Sequence, residues 1–161
     1  MDISKISKDN IKNIQFSSID PVEYPAALKV NYRISGKDLA DLPPTDETKQ
    51  AELRIRIIEI FEEKLSGQTT KVEEYCDINR TLFSKYLHAK APISKTSLVK
   101  FIIGLKLDYN EGLELLELNG TPINEDCRFD YIAMSAIKDK DELEDFDNDL
   151  VKYGCKSILS N

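Results

Sequence analysis

From Thr45 almost to the C-terminus, apolar residues recur at the three- and four-residue spacing of amphipathic helices, whereas the first 44 residues alternate with period two. Leu53, Ile57, Phe61 and Leu65 form one helical stripe, which Ile58 and Ile60 widen. Thr45 or Asp46 is placed to cap that helix and Ser66-Gly67 to end it. Val72, Tyr75 and Cys76 then share one face of a short helix, and Phe83, Tyr86 and Leu87 one face of the next. Ala91-Pro92 and a cap at Ser94 open a helix carrying Leu98, Phe101, Ile102 and Leu105. Asp108 or Asn110 starts a leucine-rich helix with Leu113, Leu115, Leu116 and Leu118, stopped by Asn119-Gly120. Beyond Thr121-Pro122, Asn124 is expected to cap a helix bearing Phe129, Ile132, Ala133, Ala136 and Ile137, and a final segment carries Leu143, Phe146 and Leu150 on one side.

The N-terminal alternation, Ile14 and Phe16 and then Leu28, Val30, Tyr32 and Ile34, predicts two short strands or one strand and an irregular arm. Asp20-Pro21 and Tyr24-Pro25 lie between them, and Leu42-Pro-Pro-Thr45 is a stiff break before the helices. A lone hairpin is marginal in water, so this arm has to lean on the helices or pair with a second copy. The expected fold is mainly α: a short N-terminal arm with β character over 1–44, a five-helix unit over 45–120, and a helical hairpin over 121–161 docked on it.

Charge changes this picture more than composition does. The net charge is -7, but residues 1–67 sum to -2, residues 68–100 to +3 and residues 101–161 to -8. The one basic third carries Lys71, Arg80, Lys85, Lys90, Lys95 and Lys100, as a face turned toward phosphate requires, although scattered solvated lysines give the same count. No apolar run approaches the ~20 residues of a membrane span, and the first ten residues lack the apolar core of a secretory signal, so the expectation is a cytoplasmic chain. Cys76, Cys127 and Cys155 form neither an even set nor a Cys-x-x-Cys pair and read as structural thiols. His88 has no acid or thiol at a useful spacing. The acidic run Asp139 to Asp149 lacks the looped spacing of a calcium site. No catalytic residue, metal ligand or cofactor site is identified, and the reading is of a non-enzyme.

Between the two short helices sits Asp77-Ile78-Asn79. Asp tolerates the left-handed backbone of a sharp turn, Ile78 suits the gap between the helices, and Asn79 can cap the next one. The pattern is that of a helix-turn-helix. Thr69 to Leu118, with the run Ile78-Asn-Arg-Thr-Leu-Phe-Ser-Lys-Tyr86, resembles the lambda-repressor-like helix-turn-helix family. It is similar to a bacterial or phage variant that continues into a C-terminal helical hairpin, the parallels being Arg80-Thr-Leu-Phe-Ser-Lys85, Ser94-Lys-Thr96, Phe129-Asp130 and Tyr153-Gly154. The sequence departs from the family at Asp77, often Gly, and at Glu73, often Ala.

The resemblance implies that the helix starting at Asn79 enters the major groove of double-stranded DNA, with Arg80, Thr81, Ser84 and Lys85 near bases or phosphates and Thr69, Lys71 and Lys90 flanking them on the backbone. A sequence-specific transcriptional regulator, acting as a homodimer, is one expectation. The other is an adaptor that keeps the fold as a scaffold and meets a protein partner through its acidic C-terminal hairpin.

Overall fold

A computed structural model describes residues 3–25 and 44–160. They are mainly helical, with seven α-helices and two 3-10 turns, Ile3–Lys5 and Lys8–Asn13, among the described residues. The helices are α1 (Pro44–Leu65), α2 (Thr69–Cys76), α3 (Arg80–Leu87), α4 (Lys95–Gly104), α5 (Tyr109–Leu118), α6 (Arg128–Asp139) and α7 (Leu143–Lys152).

The stripe of α1 buries Leu53, Ile57, Ile60, Phe61 and Leu65, but Ile58, expected to widen it, stays 38% exposed. A buried stripe centred on Leu53, Ile57 and Phe61 leaves a side chain one residue further round the helix on its flank. Helix α1 begins at Pro44, so Thr45 and Asp46, expected just ahead of it as caps, lie within its first turn. Ser66 and Gly67, both at positive φ, turn the chain out of it. Phe61, Phe83 and Phe101 then join α1, α3 and α4 in an aromatic row, with centroids 5.0 and 5.9 Å apart.

Helix α6 lies at the centre of the molecule. Its apolar stripe was expected on one side only, yet every residue from Phe129 to Ile137 is buried, including Asp130, Tyr131 and Ser135. Helix α7 covers one side, with Phe146 edge-on to Phe129 at 5.9 Å. The N-terminal arm covers another. Ser7 N donates to the Tyr131 hydroxyl (3.3 Å), Lys138 Nζ donates to Ile6 O (2.7 Å), and Phe16 sits edge-on to Tyr131 at 5.7 Å. Lys8 reaches Asp141 and Asp149 at 2.5 and 2.8 Å. The arm thus closes over the C-terminal hairpin. Asn124 does not cap α6, which begins four residues later; its Oδ1 caps a turn by accepting from Asp126 N, and Cys127 holds the N-cap position.

The strand expected at Ile14 and Phe16 is not formed: a 3-10 turn runs to Asn13, and the sheet-like pairing among the described residues is one isolated bridge, Ser18 with Cys127. Both side chains are half-buried against the core, so their alternation reflects an extended chain laid on helices without a partner strand. The strand expected at Leu28, Val30, Tyr32 and Ile34 lies outside the described residues. No helix among the described residues is long and apolar enough to cross a membrane.

Candidate nucleic-acid interface

The link between α2 and α3 is only Asp77, Ile78 and Asn79, and each has a distinct local task. Asp77 adopts the left-handed conformation (φ 53°, ψ 38°), Ile78 is buried, and Asn79 Oδ1 accepts from Thr81 N (2.9 Å) and Leu82 N (3.2 Å). Glu73 adds a second cap. Its Oε1 accepts from Arg80 N at 2.9 Å and lies 3.8 Å from Arg80 Nε. Glu73, on the preceding helix, therefore helps fix the start of α3.

With its N-terminus fixed, α3 buries Phe83 and Tyr86, and the Tyr86 hydroxyl donates to Ser97 Oγ on α4 (2.9 Å). Tyr75 was expected on the core side of α2 with Val72 and Cys76, but is 50% exposed while those two are fully buried. An eight-residue helix meeting its neighbours along one narrow stripe seats residues four apart, and Tyr75 falls about 100° short of Cys76.

The opposite face of α3 is open. Arg80, Thr81 and Lys85 are exposed and Ser84 half-buried. They line a shallow concavity of about 410 Å³ together with Thr69, His88 and Lys90, and no carboxylate lines it. After α3, Ala89 turns left-handed (φ 56°) and Lys90 N donates to Lys85 O at 2.8 Å, which carries Lys90 back beside Lys85. His88 Nδ1 donates to Ser84 O at 2.8 Å. The structure thus gathers six of the seven residues singled out from sequence; Lys71, half-buried on α2, does not line the concavity. His88 is the addition, and its signal was the four-residue step from Ser84.

Apart from Glu73, which pairs with Arg80, the nearby acids turn elsewhere. Asp77 turns its carboxylate toward the C-terminal tail, where Oδ2 lies 2.8 Å from Lys100 Nζ and accepts from Ser160 N (3.0 Å) and Oγ (3.2 Å). Burial pushes this carboxyl up, but Lys100 and Ser160 outweigh it and hold it below its usual value. Asp77 lines a second concavity, of about 460 Å³, with Glu73, Glu74, Glu142 and Glu144. Near Lys100, burial pushes the Cys76 thiol up to about 12, the ammonium opposing it, so this cysteine is an inert core group.

A folded-state carboxyl held low stabilises the fold above its unfolded pKa, and that stability is lost as pH falls through the folded value. Protonating Asp77 should therefore release the tail at Ser160 only below about pH 3.8, its ordinary value. The check is the Ser160 amide resonance followed from pH 5 to pH 2. In Asp77→Asn the tail should already be loose at pH 5; a tail equally ordered in both proteins would deny the carboxylate this role.

No protein-family model, curated protein or solved structure matches this chain. Its own geometry has to carry the functional reading.

Proposed function

We propose that this chain is a sequence-specific, DNA-binding transcriptional regulator of bacterial or phage type, in which α2, the Asp77–Asn79 turn and α3 act as a lambda-repressor-like helix-turn-helix. The observation that carries the reading is the acid-free concavity on the outer face of α3, lined by Arg80, Lys85 and Lys90 with Thr69, Thr81 and Ser84. Cations and hydroxyls on an exposed helix face, whose other face is bolted to a core, match what a major groove and its flanking phosphates require. Arg80 suits a bidentate contact to guanine, and Lys85 and Lys90 supply charge to phosphate. Charge segregation supports the reading in part: Glu74, Asp77, Glu142 and Glu144 line a separate concavity, while Glu73, which holds the start of α3 at Arg80, does not line the basic one. One recognition helix reads a short site, so the active form is taken to be a homodimer.

A second reading, a protein-binding adaptor, draws on the same acidic concavity and on the half-exposed Tyr75 at its edge. A DNA titration at several salt concentrations separates the two. As a dimeric DNA reader the wild type should show log affinity falling with log salt at a slope of about -4 to -7, and preferred sequences should emerge from a mixed pool. Arg80→Glu with Lys85→Glu should shrink the slope by about 4 and abolish the preference. An adaptor would bind DNA weakly at low salt, release it at physiological salt and select no sequence; that result would displace the first reading.

A further inference from the structure

Glu73 does more at the start of α3 than satisfy an N–H group. It lies on α2, seven positions before Arg80, and a single oxygen meets both parts of that residue: Oε1 accepts from Arg80 N at 2.9 Å and stands 3.8 Å from Arg80 Nε. The first contact holds the carboxylate at the positive end of the helix. The second therefore meets a partner that is already fixed, and only the arginine gives up freedom to form it. The Arg80 side chain is 58% exposed, and Nη1 and Nη2 have no partner among the described residues. A guanidinium whose Nε side faces a carboxylate keeps its terminal hydrogens for an outside acceptor, and that terminal edge matches guanine O6 and N7.

The two side chains also fall on different surfaces. Arg80 lines the basic concavity and Glu73 does not; Glu73 lines the acidic one. The carboxylate thus stands behind the arginine, outside the surface offered to DNA. Asp77, the acid of the turn, is taken up by Lys100 and Ser160, which leaves Glu73 as the acid paired with Arg80. Capping alone does not call for a charge here. Asn79 already accepts from Thr81 N and Leu82 N, and a neutral side-chain oxygen at position 73 would serve Arg80 N as well. A carboxylate near a polyanion repels it, so the charge at Glu73 carries a cost in affinity.

We infer that Glu73 is a positioning residue for base recognition: it holds the Arg80 guanidinium with its terminal edge toward a guanine, and raises selectivity at that base pair while lowering overall affinity. The inference rests on the DNA-binding reading given above, and within it names a residue that acts through Arg80 and the base it helps to select.

Glu73→Gln is the informative variant, because its amide oxygen can still accept from Arg80 N while the charge opposite Nε is gone. A mixed pool of duplexes first locates the base pair at which the wild type prefers guanine and Arg80→Ala does not. There Glu73→Gln should lower the guanine preference by about two- to fivefold, the range for an exposed ion pair. It should leave the other positions unchanged and bind the unselected pool more tightly than the wild type does. In an Arg80→Ala background the same change should move no base preference. A merely structural role would weaken every position together. In the free protein, nitrogen relaxation of the Arg80 Nε–H bond should show a more ordered side chain in the wild type than in Glu73→Gln. An unmoved guanine preference, a loss spread evenly over the site, or equal Nε–H order in the two free proteins would each overturn the inference. A wild type that selects no sequence would overturn the functional reading instead, and the free-protein comparison would still decide whether Glu73 holds Arg80.

Discussion

Lys95→Met is expected to destabilise the chain by about 3–5 kcal/mol, because it strands the Asp130 carboxylate, 1% exposed, without its counter-charge. Against a total of about 5–15 kcal/mol for a domain, that is a large share, and the melting temperature should drop by on the order of 10 °C. Two hydrogen bonds of the ammonium are lost at once, since Lys95 Nζ also donates to Pro122 O at 2.9 Å. Lys95→Met combined with Asp130→Leu should recover most of the loss, because an apolar pair of similar volume removes the need for charge compensation. Urea unfolding of the two single variants and the double variant gives the coupling. If Lys95→Met costs no more than Lys156→Met, a change at an exposed position, the buried pair is not holding α4 to α6.

Gly104→Ala should be the next most damaging small change. A Cβ at Gly104 would stand 2.3 Å from the Tyr75 carbonyl oxygen and 3.0 Å from Cys76 Cα, so backbone meets backbone where α4 crosses the end of α2. Helix α2 would have to move, at about 1–3 kcal/mol or more. Gly112→Ala makes the comparison. Its Cβ would meet Ile102 Cγ2 at 2.7 Å, a side-chain tip that can rotate away. Thermal melts should therefore rank Gly104→Ala clearly below Gly112→Ala, and the reverse order would mean that the close approach of α2 and α4 is relaxed easily. In Gly104→Ala any DNA affinity should fall along with stability, because the turn that aims α3 begins at the residue after Cys76.

Much of this arrangement is legible in the chain because its causes are local. Asp77 in the left-handed region, Ile78 in the gap and Asn79 as the cap follow from what those side chains do within three residues of themselves. The basic concavity is legible for the same reason: Arg80, Thr81, Ser84 and Lys85 share a face by helical periodicity alone. What escapes a reading of the pattern depends on distant segments. Helix α6 reads as one-sided because Asp130 and Tyr131 read as polar positions until Lys95, 35 positions away, and the arm, 124 positions away, meet them. Ile14 and Phe16 alternate like a strand because any extended chain pressed on a surface buries every second side chain.

The arm that wraps α6 also sets an order of events. Lys8 and Asp141 are 133 positions apart, and the Ser7 to Tyr131 contact spans 124, whereas the Asp77–Asn79 turn is made among neighbours. Closing so long a loop costs conformational entropy before any contact rewards it. During synthesis residues 3–16 emerge before α6 and α7 and have nothing to rest on until those helices have followed. A stretch made well ahead of α6 is seated only after it, and until then one flank of that helix meets water.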